Sequence, residues 1–144
     1  MNVKEYLSQA YNLHQEIQHK KAKIATLREL ATDTSSKLSD MPRAASPDPQ
    51  HIEEVLANVI DLEREIAEDE TRLGAARCQV ANLIANVPNA VQIQILAKRY
   101  LEFECWNDIG AAMKKTARWA QIQHKIAILW LEKKFHSVFA TISH

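Results

Sequence analysis

Apolar residues recur along the start of the chain in a three–four alternation: Val3, Tyr6, Ala10, Leu13, Ile17, Ile24, Leu27 and Ala31, with Lys20 breaking the series once. This is a heptad seam, and no Pro or Gly interrupts it. It predicts a helix over residues 3–31, about 42 Å long at the usual rise per residue. The same alternation resumes at Ile52 and runs through Val55, Val59, Leu62, Ile66, Leu73, Ala76, Val80, Leu83 and Val87, broken once by Asp69. Between the seams, residues 32–50 hold three Pro and four Ser, which predicts a flexible connector.

Two seams of similar length joined by a connector predict a long antiparallel helical hairpin, a coiled coil. Lys20 and Asp69 then either face each other as a polar pair that sets the register or reach water separately. A stripe this narrow leaves apolar surface open, so the expected closure is a four-helix assembly in a homodimer or a higher oligomer. Its oligomerisation contacts are expected at Leu13, Ile17, Ile24, Leu27, Val59, Leu62, Ile66 and Leu73.

The pattern changes after Val87-Pro88-Asn89. A helix from Ala90 to about Phe103 places Val91, Ile95, Leu96 and Tyr100 near one face. A short helix follows with Ile109 and Met113 four apart, then a turn at Lys114-Lys115. Thr116 supplies a hydroxyl where a new helix has free N–H groups, and Ala120, Ala127, Leu131 and Phe135 continue at helical spacing. Two helices across a tight turn, the second rich in polar residues, have the layout of a helix-turn-helix. The fold class expected is therefore all-α: a hairpin arm over residues 1–87 and a helix-turn-helix domain over residues 88–144.

On that reading double-stranded DNA meets the turn and the outward face of the second helix. The residues concerned are Lys114, Lys115, Thr116, Ala117, Arg118, Gln121, His124 and Lys125, with weaker backbone contacts from Lys98 and Arg99. The plainer alternative is that these are ordinary solvated polar residues on a core helix.

Composition supports the helical reading: two Gly and four Pro leave too few turns for a sheet protein, which needs one about every 8–12 residues. The formal net charge of zero hides an asymmetry. Residues 1–87 carry ten Lys/Arg against fourteen Asp/Glu, and residues 88–144 carry eight against four, so the basic tail is the candidate phosphate binder. Cys78 and Cys105 form no C-x-x-C pattern, which points to a reduced, cytoplasmic protein. No leader is visible and no run of eighteen apolar residues exists, so no membrane span is expected. The six His residues make no metal-site pattern, and no phosphate loop or nucleophile elbow occurs. Neither an enzyme nor a cofactor, metal site or small-molecule substrate is expected.

The tail resembles the fourth region of bacterial sigma factors. It is closer still to small phage-encoded transcription regulators that carry such a domain behind a coiled-coil arm. The likeness rests on Leu96-Ala97-Lys98-Arg99-Tyr100-Leu101-Glu102, then Trp106-Asn107-Asp108-Ile109-Gly110, Met113, Thr116, Ala127 and Leu131. The resemblance implies a sequence-specific DNA-binding regulator of phage or prophage genes, acting as a dimer and docking on RNA polymerase. Departures are Lys114 where the family has Gly in the turn, and Gly110 in place of a small Ala where two helices approach closely, a replacement that packing should tolerate. Ile122 and Trp130 stand where relatives carry polar residues, and Trp130 is expected to be buried. Two other readings stay open: a packaging protein like a small terminase subunit, and a coiled-coil module that binds or inhibits another protein without touching DNA.

Overall fold

The computed structural model describes the backbone of residues 1–40 and 49–142 and the side chains of 1–32 and 50–139. Every regular element among them is helical: α1 (Val3–Leu7), α2 (Gln9–Asp40), α3 (Pro49–Ile84), α4 (Ala90–Tyr100), α5 (Trp106–Ala112), α6 (Ala117–Lys134) and α7 (His136–Ile142). The protein is all-α, a long helix pair followed by shorter helices. No helix among the described residues is long and apolar enough to cross a membrane.

The expected connector is shorter than its composition suggested. Helix α2 continues to Asp40 and α3 begins at Pro49, so residues 32–40 and 49–50 are helical. Ser, Thr and Asp lower helix propensity only modestly, and Pro is well suited to the first helical position. The rest of the expected connector, residues 41–48, lies outside the described residues. The first helix is interrupted once, at Ser8, whose hydroxyl bonds the Lys4 carbonyl at 2.7 Å. Hydrogen bonds from Ser8 N to Lys4 O and from Asn12 N to Ser8 O carry the ladder across.

The chain forms two compact units, one of His14–Arg72 and one of Met1–Leu13 with Leu73–His144. These boundaries differ from the expected division after residue 87. The reason lies in the core of the second unit. Val3, Leu7 and Ala10, with Ala76, Val80, Leu83, Ile84 and Val87, pack with Leu96, Tyr100, Ala127, Ile128, Leu131 and Phe139. The beginning of the chain and the end of α3 thus complete the core of the C-terminal helices.

In the unit of residues 14–72, α2 and α3 bury their seams against each other: Ile17, Ile24, Val55, Val59 and Ile66 are buried, and Leu27 and Leu62 half-buried. The ion pairs fix the direction, since Lys20 meets Asp69 and Arg28 meets Glu63, partners that run oppositely along the two helices. Burial within one chain therefore accounts for most of the residues expected at an oligomer interface. Leu13 and Leu73 pack instead on the core of the other unit. Among the described residues of 14–72, the exposed large apolar ones are Leu30, Leu56 and Ile60.

The two polar breaks in the seams do face each other. Lys20 Nζ donates to Asp69 Oδ2 at 2.6 Å, and the Asp69 side chain is buried. That hydrogen bond is the main cause holding the Lys20 ammonium above its usual pKa. Asp69 has a second, longer contact to Arg72 at 3.6 Å. Removing one member of such a pair strands the other, whereas removing both exchanges it for apolar packing. Lys20→Leu alone should lower the thermal midpoint, and Lys20→Leu with Asp69→Leu should recover most of the loss, as followed by circular dichroism. A double variant no more stable than the single one would show that the pair does not act as a unit.

Candidate nucleic-acid interface

Helix α4 opens on Asn89, whose side chain accepts hydrogen bonds from Val91 N and Gln92 N at 2.9 and 3.2 Å. Helix α6 opens on Thr116, whose hydroxyl accepts from Trp119 N at 3.1 Å. Both are N-cap roles that these residue types fill well. Between them α5 lies close to the start of α6, and Ile95, Ile109 and Ala120 form a small buried core with Trp106, Met113 and Trp119 against it.

The turn ends α5 as a Schellman motif: Lys115 N donates to Gly110 O at 2.8 Å and Lys114 N to Ala111 O at 3.1 Å. The motif requires a left-handed residue, and Lys114 takes it, with φ 58°. The turn therefore keeps the shape that Gly would favour although Lys occupies it. Gly110 has a different task. A Cβ there would lie 2.6 Å from the Thr116 carbonyl carbon and 2.8 Å from Ala117 N. Gly110 fits the close approach as expected, and the approach is tight enough that Ala in its place would not fit, because the obstacle is backbone and cannot turn aside.

The expected DNA-contacting residues separate into two groups. Lys114, Lys115, Thr116, Arg118, Gln121 and Lys125 are exposed along the turn and one face of α6, and Ala117 is half-buried beside them. His124 is not with them. It is buried, with Nε2 2.5 Å from the Tyr100 hydroxyl and its ring 4.9 Å from that of Trp106. Burial, reinforced by the positive charges of Lys4 and Arg99, pushes its pKa down to about 4, while burial raises Tyr100 to about 12. The imidazole is thus neutral near pH 7, and its tautomer sets which of Nε2 and the tyrosine hydroxyl donates in the bond between them. The signal for this was present in the sequence: Ala120, His124, Ala127 and Leu131 repeat at four, three and four, which is core spacing.

The two residues expected to touch the DNA backbone are engaged elsewhere. Lys98 is shared by Glu102 and Glu104 at 3.9 and 3.8 Å. Arg99 bonds the Glu104 carbonyl at 3.1 Å and stacks 4.7 Å from the centre of the Trp106 ring. Trp130 is half-buried against the core, as expected, with the Lys134 ammonium 4.8 Å from its ring centre. Ile122 is open, and with Ile126 and Leu129 it makes an exposed apolar line on α6. Among the described residues no three His, Cys, Asp or Glu gather as metal ligands. No protein-family model, curated protein or solved structure matches the chain.

Two measurements check this geometry. Lys114→Gly should raise stability by about 1 kcal/mol, because Gly takes the left-handed conformation without steric cost. Denaturant unfolding reads it, and a loss of stability would mean that the Lys114 side chain contributes more than its backbone costs. His124 makes stability depend on pH. Its folded pKa lies below the unfolded value, so between about pH 6.5 and 4 the unfolded chain binds a proton that the folded one refuses. Stability should fall across that window by about 2 kcal/mol after allowance for residual solvent screening. His124→Gln keeps an acceptor for Tyr100 and should flatten the difference; an unchanged pH profile would place the effect elsewhere.

Proposed function

We propose that the protein is a sequence-specific DNA-binding transcriptional regulator that lays α6 in the major groove of a duplex and acts as a dimer. The observation that carries this reading is the arrangement around the turn. Lys114, Lys115 and Thr116 present two charges and a hydroxyl at the entry of α6, and Arg118, Gln121 and Lys125 continue the exposed face one turn apart. Arg forks onto guanine and Gln onto adenine, while Lys at a turn finds phosphate. The resemblance of the tail to sigma region-four domains adds a transcriptional role and docking on RNA polymerase.

A second reading has one observation in its favour. The open line of Ile122, Ile126 and Leu129 suits a protein partner better than a phosphate backbone. On that reading the protein is a binding or inhibitory module.

The test is fluorescence-anisotropy titration of the 144-residue chain against duplexes selected from a random pool, at several salt concentrations. Affinity should fall steeply with salt, as counterion release requires. Arg118→Ala and Gln121→Ala should each cost about 1–3 kcal/mol on the selected site and relax preference at one base pair. Lys125→Ala should weaken all duplexes alike and lower the salt slope by about 1. Selection that enriches no sequence, or variants that bind as the parent does, would leave the protein-binding reading standing.

A further inference from the structure

The unit that carries α6 also contains a cleft of about 520 Å³ that the DNA reading uses only at Gln121. The buried His124–Tyr100 pair lies at its base, and Tyr11, Phe103 and Trp106 line it with aromatic surface. Lys4 of α1 and Arg99 of α4 bring two positive charges to it, and no carboxylate residue lines it. Neither cation forms an ion pair among the described residues. Arg99 is held in place by stacking on Trp106 and by its bond to the Glu104 carbonyl, which leaves other N–H groups of its fork to donate. Both charges act on His124 and depress its basicity, so their fields converge at the base of the cleft.

We propose that this cleft binds a small organic anion in which a planar ring carries a carboxylate or a phosphate. The volume is that of a small-molecule site, about 300–1,000 Å³, and far exceeds what an inorganic ion would fill. The cations supply charge-assisted hydrogen bonds, and the aromatic walls supply a surface for the ring. Ser8, Asn12 and Gln121 add neutral polar groups at its edge. The site stands apart from the DNA reading, with one consequence that rests on it. Gln121 belongs both to the cleft and to the outward face of α6, so a bound anion and a base edge compete for its amide. The ligand would then act as an effector of operator binding.

Isothermal titration of the full chain tests the site with two pairs of probes: indole-3-acetate against indole-3-acetamide, and adenosine monophosphate against adenosine. In at least one pair the anion should bind about tenfold tighter than its neutral counterpart, the worth of a charge-assisted contact. The pair that responds identifies a carboxylate or a phosphate ligand. Lys4→Gln, a change at an exposed side chain, should weaken that anion about tenfold and leave the circular dichroism spectrum unchanged. Amide signals of Ser8 and Asn12 and the Trp106 indole signal should shift on titration. Equal affinity for charged and neutral probes, no binding at millimolar concentration, or an unaffected Lys4→Gln variant each overturns the proposal. So does a short duplex that, with no probe present, shifts the Ser8, Asn12 and Trp106 signals as the anion does, because the cleft then holds DNA phosphate; displacement of the anion without those shifts is the competition expected at Gln121. Duplex affinity measured without any probe tests the regulatory reading separately.

Discussion

Helices α4, α5 and α6 cannot bury themselves. Their own fully enclosed core is Ile95, Ile109 and Ala120, far too little apolar surface to offset the entropy of ordering three helices. The remainder comes from the beginning of the chain and from the end of α3. Val3, Leu7 and Ala10 on one side and Ala76, Val80, Leu83 and Val87 on another enclose Leu96, Ala127 and Leu131. A capping box fixes the first of these segments, with Asn2 Oδ1 accepting from Glu5 N at 2.8 Å. The chain's first dozen residues are therefore part of the same unit as the C-terminal helices and not part of a separate arm.

That dependence explains what could and could not be read from the residues alone. Both seams were legible, because the three–four alternation from Val3 to Ala31 and from Ile52 to Val87 is a direct record of burial. The charged break in each seam was legible too, but the residues alone left open whether Lys20 and Asp69 face each other or reach water separately; the structure pairs them. The boundary between the units was not legible. A heptad seam continues unchanged when the surface it packs on changes, so nothing between Leu13 and Ile17 marks the passage. His124 was misplaced for a different reason: its residue type suggested an outward reader, whereas its spacing between Ala120 and Ala127 placed it inward. Spacing prevailed because Tyr100 offers a partner that a buried imidazole needs.

The turn shows the same competition between residue type and geometry. A tight α5–α6 connection makes two demands that Gly meets best, a left-handed backbone and a close approach. The chain has Gly at only one of the two positions. At Gly110 no alternative exists, since any Cβ would meet the Thr116 backbone. At Lys114 the demand is conformational, costing about 1–2 kcal/mol for a residue with a side chain. A cost of that size persists where the surrounding bonds enforce the conformation, and here the paired bonds to Gly110 and Ala111 do so. What remains is an exposed ammonium at the entry to α6, next to a second at Lys115.

Much of the positive charge of the tail is engaged within the protein. Lys98 is balanced by Glu102 and Glu104, Arg99 faces the cleft, and Lys134 rests on Trp130. The basic groups exposed on α6 and its turn are Lys114, Lys115, Arg118, Lys125, Lys133 and Lys134. Four of these six lie between residues 114 and 125, while the open apolar residues Ile126 and Leu129 lie beyond them. A reading helix touches base edges chiefly with its N-terminal residues. On the proposed DNA reading, the C-terminal half of α6 would stand outside the groove, where an apolar line carries no desolvation conflict with phosphate. Of the open apolar residues only Ile122 would fall within the reading half, at a place where a thymine methyl would suit it. The basic and the apolar surfaces thus occupy successive stretches of α6, so the proposed reading and the protein-binding reading do not compete for the same residues.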